Sequence, residues 1–307
     1  MSTLQKRLMH VIRDPRVLLK SISNWRGFHL LSDKVYLKMK YRIYMGKKLA
    51  LEPPISFNEK LQWLKLHDRK PNYSTYVDKY AVRKHIQKTI GPQYLVPLIG
   101  VYTHVTEIPW DDLPDQFVLK CTHSSMTNII CRNKQQLDID ASIKQLSHWL
   151  KENYYWFGRE WPYKNIVPKI ICETYLGNKK QVPYDYKVLC FNGKAKLIEC
   201  HQNRFTTSHT QDFYDPQWIR TSISQSDSFG KNARELVKKP TCLKQMILLS
   251  EQLSSEFMHM RIDWFVVADQ LYFGEMTFYD GSGFYGFDDH KDDDLLGSWI
   301  QLNQTGV

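Results

Sequence analysis

The chain has 307 residues, 42% of them hydrophobic and 13% aromatic, and a formal net charge of +10. That apolar content suffices for a sizeable core in one large domain or two to three packed lobes, and it excludes a disordered chain. The positive balance favours an anionic partner: a nucleotide, an acidic polymer, nucleic acid or an anionic membrane surface. Lys and Arg are spread along the chain, about half of them before residue 90, with no run of five. No DNA or RNA motif accompanies them, so nothing points to a dedicated nucleic-acid binder.

Residues 1–50 read as basic and helical. Lys6, Arg7, Arg13 and Arg16 interrupt any apolar core of a signal segment, and no stretch approaches a membrane span. The stretch 11–31 is basic and apolar by turns; it reads as an amphipathic helix, either an ordinary one or one lying on a membrane surface. Gly46 and Pro53-Pro54 end this region. Ser56-Phe-Asn-Glu59 has capping-box spacing and opens a helix through Leu61, Trp63 and Leu64. A second helix is expected over 76–90, stopped by Gly91-Pro92, and a strand over 94–102.

After Pro109 and Pro114 the pattern alternates. Gln116–Cys121 is a strand, 122–128 a polar turn that includes Ser124 and Ser125, and Ile129–Cys131 the return. A helix follows over 141–153 and a strand over Ile170–Leu176. Strands through Tyr186–Phe191 and Lys196–Cys200 flank Asn192-Gly193, a hairpin signal. A helix over 243–257 precedes a last hairpin through Arg261, Asp263, Glu275 and Thr277. The six cysteines show no C-x-x-C spacing; they read as small buried hydrophobes with free thiols, which fits a reducing cytosol.

The charged residues on these strands carry the functional reading. Asp263 and Glu275, on paired strands and followed by the Thr277 hydroxyl, suit a hard cation such as Mg²⁺. Lys120, between Leu119 and Cys121, is costly to bury without an anion, and the polar turn after it offers backbone N–H groups to phosphate. An edge-strand lysine facing solvent is the alternative. Glu173 poses the same question at the end of Ile-Ile-Cys. Asp185 and Lys187 share one face of their strand, which a solvated sheet surface would also explain. Arg204 would hold a phosphate bidentately, or be a surface arginine. Asp288, Asp289 and the acids 292–294 admit a nucleotide-sugar metal site or a solvated acidic loop.

The order of several segments resembles the TupA-like (teichuronopeptide biosynthesis) family of ATP-grasp proteins. They are Ser56–Leu64, Asp78–Arg83, Leu113–His123, Tyr155–Tyr163, Asp185–Gly193, Phe213–Trp218 and Arg261–Phe284. The resemblance covers about residues 50–300. It implies an α+β, ATP-grasp fold: two lobes gripping a nucleotide, with a basic helical N-terminal extension over 1–55. The expected divisions are an N-terminal lobe over 56–112, a small lobe with the phosphate loop over 113–176, and a C-terminal lobe with the metal hairpin over 177–307.

It also implies roles. Lys79 and Lys120 would contact ATP phosphates under the turn of Ser124 and Ser125. Glu173, Tyr175 and Leu176 would lie beside the adenine and Asp185 near the ribose. Lys187 and Arg204 would face the phosphates or an acyl-phosphate, and Arg261 would stabilise the transferring phosphoryl group. Asp263 and Glu275 would hold Mg²⁺, with Thr277 where many relatives have Asn. His123-Ser-Ser-Met126 replaces a His-Gly-Ser-Gly loop. The implied activity is ATP-dependent carboxylate–amine ligation through an acyl-phosphate, on a uronic or amino acid in cell-surface polysaccharide assembly. It would take place in the cytoplasm or at the inner membrane face. A polysaccharide glycosyltransferase, a sugar or polyol kinase and a non-catalytic nucleotide-binding protein are the rival readings.

Overall fold

The structure is a computed structural model and describes residues 16–177, 183–202, 209–225, 233 and 236–302. Helices α1 (Arg16–Ile22), α2 (Asp33–Met45), α3 (Phe57–His67), α4 (Tyr73–Val77) and α5 (Val82–Thr89) come first. A four-stranded antiparallel sheet follows, built from β1 (Leu98–Tyr102), β2 (Phe117–Cys121), β3 (Asn128–Cys131) and β4 (Ile170–Thr174), in the order β1-β4-β2-β3. Helices α6 (Ile139–Trp149) and α7 (Tyr155–Gly158) lie between β3 and β4. The second sheet is antiparallel and five-stranded. It comprises β5 (Tyr184–Phe191), β6 (Lys194–Gln202), β7 (Thr210–Tyr214), β8 (His259–Val267) and β9 (Gln270–Thr277), in the order β7-β6-β5-β8-β9. Helix α8 (Leu243–Ser254) packs on β5, β6 and β8, and α9 (His290–Trp299) packs on α3. This is an α+β chain with two sheets, as the sequence led us to expect.

Each sheet has one apolar face and one charged face. On β2, Phe117, Leu119 and Cys121 are buried in a core with Ile170 and Cys172 of β4, which leaves Val118, Lys120, Ile171 and Glu173 on the opposite face. On β8, Met260, Ile262, Trp264 and Val266 enter the large core, so Arg261 and Asp263 turn the other way. The large core is closed by α3, α4, α5 and α8. A third cluster, around Tyr36, Leu37 and Tyr41 of α2, includes Phe284 from the end of the chain.

Local chemistry sets several of these elements. Ser56 caps α3 by accepting from Glu59 N, and the Glu59 carboxylate reaches back to Ser56 N, closing the capping box. The helix expected over 76–90 is two helices. The Asp78 carboxylate accepts from the N–H groups of Tyr80 and Ala81, which ends α4 and starts α5. Lys79 falls in that break. The strand expected from residue 94 begins at Leu98, since Pro92–Tyr94 is a short 3₁₀ turn. Asn192 and Gly193 both have positive φ (49° and 76°), the geometry of a type I′ hairpin turn.

Candidate active site in the inter-sheet cleft

The charged face of the five-stranded sheet is built by register. Lys187 pairs with Asp263 on one side and Glu199 on the other, Asp185 with His201, Asp263 with Glu275, and Arg261 with Thr277. All these side chains therefore share one surface. A bulge decides how β9 joins it. Asp263 pairs with Glu275 but Trp264 with Phe273, so Gly274 is the extra residue. Phe273 and Leu271 then enter the core while Glu275 and Thr277 face the cleft, which uninterrupted alternation would forbid. A Cβ at Gly274 would lie 3.0 Å from Asp263 O, so the bulge favours a residue with no side chain.

Arg261 is the hub of this face. Its Nε and Nη2 donate to the two carboxylate oxygens of Asp263 at 2.7 and 2.8 Å, Nη2 also reaches Glu275 at 3.1 Å, and Nη1 bonds Asp280. Lys187 Nζ donates to Asp263 at 2.7 Å and lies 3.8 Å from Asp185. Burial disfavours the Asp263 charge, but Arg261 and Lys187 outweigh it and hold the carboxyl well below its usual range. Burial pulls Lys187 down, and Asp185, Asp263 and Glu199 more than reverse this. Burial also opposes the Glu199 charge, yet His201, Lys187 and Arg261 hold it at about 2. Gln211 donates to Glu199 at 2.6 Å and to Gln225 at 2.9 Å.

The small sheet supplies the facing wall. Glu173 accepts from Lys120 at 2.7 Å and from Arg83 of α5 at 2.9 Å. Arg83, which the sequence reading quoted only inside a motif, also donates to Val96 O at 2.8 Å. These residues and Lys79 line a pocket with Ile171, Leu95, Phe273 and Gly274, so both sheets contribute. Lys79 links the walls. Its N–H donates to Thr122 O at 3.1 Å, its Nζ to Ser124 O at 2.7 Å, and the same Nζ lies 3.7 Å from Glu275. Tyr175 and Leu176 leave β4 directly after Glu173 and Thr174.

The polar turn is closed on itself. Ser124 and Thr127 share a hydroxyl hydrogen bond of 2.6 Å, and Thr122, His123 and Ser124 are buried. Met126 is 81% exposed with φ of 60°. The turn thus keeps a left-handed residue without glycine. The glycines after Thr277 act within the chain. Gly281 and Gly283 have φ of 52° and 62°, and a Cβ on Gly283 would meet Gln62 Nε2 of α3 at 2.4 Å.

Lys65 and Glu160, deeper in the protein, carry no local sequence signal, and Asp280 went unmarked beside the hairpin. Lys65 of α3 donates to Gly158 O and Ser282 O, each at 2.7 Å, and burial pulls it down to about 7. Glu160, buried beside Lys65 and Ser282, is pushed up by burial, which those two oppose. Asp280, the third acid on Arg261, follows Thr277 closely enough to be found by proximity alone. Thr277 Oγ donates to Glu275 at 3.3 Å. Among the described residues, no group of three or more His, Cys, Asp or Glu is arranged to hold a metal. Arg204 lies outside the described residues. The acids over 288–294 serve the local structure: Asp289 caps α9, and Asp293 accepts from Asn58 N and Nδ2 at 2.9 Å each.

Solved structures similar to this chain include two D-alanine–D-alanine ligases. The one from Helicobacter pylori is 13% identical with a TM-score of 0.41, over 80% of this chain and 69% of that one. The one from Bacillus anthracis, complexed with ATP, is 13% identical with a TM-score of 0.39, over 73% and 58%. The ADP complex of N5-carboxyaminoimidazole ribonucleotide synthetase is 16% identical with a TM-score of 0.39, over 72% and 50%. No curated protein matches the sequence significantly. The sequence pattern of the TupA-like ATPgrasp family matches residues 59–301, which take in both sheets and the cleft between them, and the chain belongs to that family.

Proposed function

We propose that this protein is an ATP-dependent carboxylate–amine ligase that forms an amide through an acyl-phosphate, acting on a uronic or amino acid in cell-surface polysaccharide assembly. One observation carries the proposal. Cations on the small-sheet side (Lys79, Arg83, Lys120) face paired acids and bases on the large sheet, and Lys79 touches both walls. Phosphoryl transfer needs mainly positioning and charge neutralisation, and this cleft supplies both.

Lys79, Lys120 and the turn of Ser124 and Ser125 would hold the phosphates of ATP. Glu173, Tyr175 and Leu176 would flank the base, and Asp185 would lie near the ribose. Glu173 further fixes Lys120 and Arg83 by accepting from both. Lys187, Arg204 and Arg261 would face the transferring group, where Arg261 keeps its charge because three carboxylates surround it.

The carboxylate oxygens of this face are of the kind that would hold Mg²⁺. Asp185, Glu199, Asp263, Glu275 and Asp280 share this surface with Lys79, Lys187, Arg261 and His201, so carboxylates outnumber the Lys and Arg side chains among them. Asp263 and Glu275, with the Thr277 hydroxyl, are hard oxygen ligands placed opposite one another. Bound there, Mg²⁺ would supply charge neutralisation on the phosphate oxygens.

A substrate carboxylate oxygen attacks the γ-phosphorus of ATP, forming the acyl-phosphate and releasing ADP. The amine nitrogen then bonds to the carbonyl carbon, phosphate leaves, and the amine loses a proton. The product weighs one water less than the summed acid and amine.

The test is product mass spectrometry with ATP, Mg²⁺ and a panel of uronates, amino acids and amines. Loss of one water identifies the ligase, and gain of phosphate would make the protein a kinase instead. Absence of ADP release above background across the panel would refute turnover of these substrates. Glu275→Gln should lower turnover at least 100-fold while the thermal midpoint stays near wild type, since Glu275 is only partly buried. Undiminished turnover would remove the hairpin from the mechanism.

A further inference from the structure

The charge of this protein is segregated. Residues 1–50 hold twelve Lys and Arg but only two acids, Asp14 and Asp33, a surplus of ten that equals the net charge of the whole chain. Residues 51–307 therefore hold thirty bases and thirty acids and are neutral. Asp33 is neutralised internally: Arg69 reaches it at 2.6 Å and Arg159 at 3.6 Å, and Tyr155 donates to it. The outward stripe of α2 is left to Lys34, which Glu52 reaches at 3.2 Å, and to Lys38 and Arg42, at helical spacing.

Exposed apolar side chains stand on the same unit. Leu19, Ile22 and Trp25 are spaced by three residues, and Leu30 and Val35 follow; Leu30 is 93% exposed and Trp25 67%. The inward side of this segment is already satisfied. Ser23 O accepts from the Tyr36 hydroxyl, Asn24 accepts from Lys40 at 2.8 Å, and Phe28 and Leu31 pack into the α2 cluster.

The segment is also fixed. Arg159, 1% exposed, donates to Phe28 O at 2.9 Å and Leu31 O at 3.3 Å and lies over the rings of Tyr36 and Trp156. His29 stacks on Trp156 at 4.1 Å. The apolar side chains are thus held outward by buried hydrogen bonds and ring contacts. An arrangement of Trp and Leu rimmed by Lys and Arg matches the interface of a bilayer carrying anionic lipids, where apolar side chains enter the headgroup boundary and cations meet the surface charge.

We propose that the face formed by Leu19, Ile22, Trp25, Leu30 and Val35, with Lys20, Arg26, Lys34 and Lys38, docks the protein on an anionic membrane surface as a peripheral protein. No described helix is long and apolar enough to cross a membrane, so the contact is interfacial.

Co-sedimentation of the full chain with vesicles tests this without reference to turnover, so it stands or falls apart from the ligase reading. Binding is expected to vesicles of phosphatidylglycerol mixed with phosphatidylcholine, not to phosphatidylcholine alone, and 0.5 M salt should weaken it at least tenfold. The double variant Trp25→Ser, Leu30→Ser should lose at least tenfold in partitioning with an unchanged thermal midpoint. Leu248→Ser, an exposed leucine on α8, should bind as wild type. Three results would overturn the proposal: no binding to anionic vesicles, equal binding by the double variant, or lipid-free self-association that the double variant abolishes. The last would make the face an interface between copies of this chain.

Discussion

The cleft face of the five-stranded sheet and the N-terminal unit are both dense in charge, and they handle it oppositely. In the cleft, every described cation has an acid within 4 Å: Lys187 and Arg261 on Asp263, Lys120 and Arg83 on Glu173, Lys79 near Glu275. These groups are largely buried, so each is held by its partner and the pairs are stiff. On the N-terminal unit, Lys38, Arg42 and Lys48 are exposed, and the one acid among residues 16–50 is committed to internal arginines. Reciprocated buried charge suits a site that must place a phosphoryl group to within a fraction of an ångström. Unreciprocated exposed charge suits a surface that attracts without positioning.

Replacing one hub residue should give the largest contrast. Arg261→Leu leaves Asp263, Glu275 and Asp280 without their shared cation, and removing one partner of a buried pair costs about 3–5 kcal/mol. Urea unfolding should show that loss, with turnover gone. Lys38→Ala on the other region should change stability by less than about 0.5 kcal/mol. Equal effects would erase the distinction between the two regions.

Acid sharpens it next. Asp263 and Glu199 have folded values below their unfolded ones, so the unfolded chain takes up protons first as pH falls. Their contribution is complete above about pH 4.5 and is lost as pH drops toward Glu199's value of about 2. Burial pushes Asp280 and Glu160 the other way, so the wild-type curve mixes both signs. Glu199→Gln isolates one. Its thermal midpoint should fall less steeply than wild type between pH 4.5 and 2.5; an unchanged slope would show that the Glu199 charge carries no folding energy.

Much of the cleft was legible in the sequence because strands repeat every two residues. Alternation alone put Asp185 with Lys187 on one face, and the capping box at Ser56 formed as read. What stayed hidden depends on departures from period. The Gly274 bulge shifts β9 by one residue, and only that shift lets Phe273 and Glu275 take opposite faces. The Asp78 caps split an expected continuous helix and leave Lys79 in the break. Lys65 and Glu160 are brought near the site by tertiary packing over long separations, which no local pattern encodes. The charge segregation was hidden for a simpler reason: bases alone are spread widely, and only subtracting acids shows that the surplus sits in residues 1–50.

The smallest expected effect tests how finely the cleft is tuned. Met126 sits at φ of 60° in the turn that borders Lys79, and its side chain is 81% exposed. A left-handed conformation costs a residue with a Cβ about 1–2 kcal/mol. Glycine removes that cost but adds about 0.5–1 kcal/mol of chain entropy to be lost on folding. Little packing is forfeited, so Met126→Gly should stabilise the protein by no more than about 1 kcal/mol, a rise of roughly 2–4 °C in thermal midpoint. Ser124 and Thr127 would keep their hydroxyl bond, so the turn should hold its shape and ATP affinity should move less than threefold. A large gain in affinity would mean that the glycine-poor loop restrains closure over phosphate. A fall in midpoint would mean that the Met126 side chain packs in the folded protein, against its exposure here.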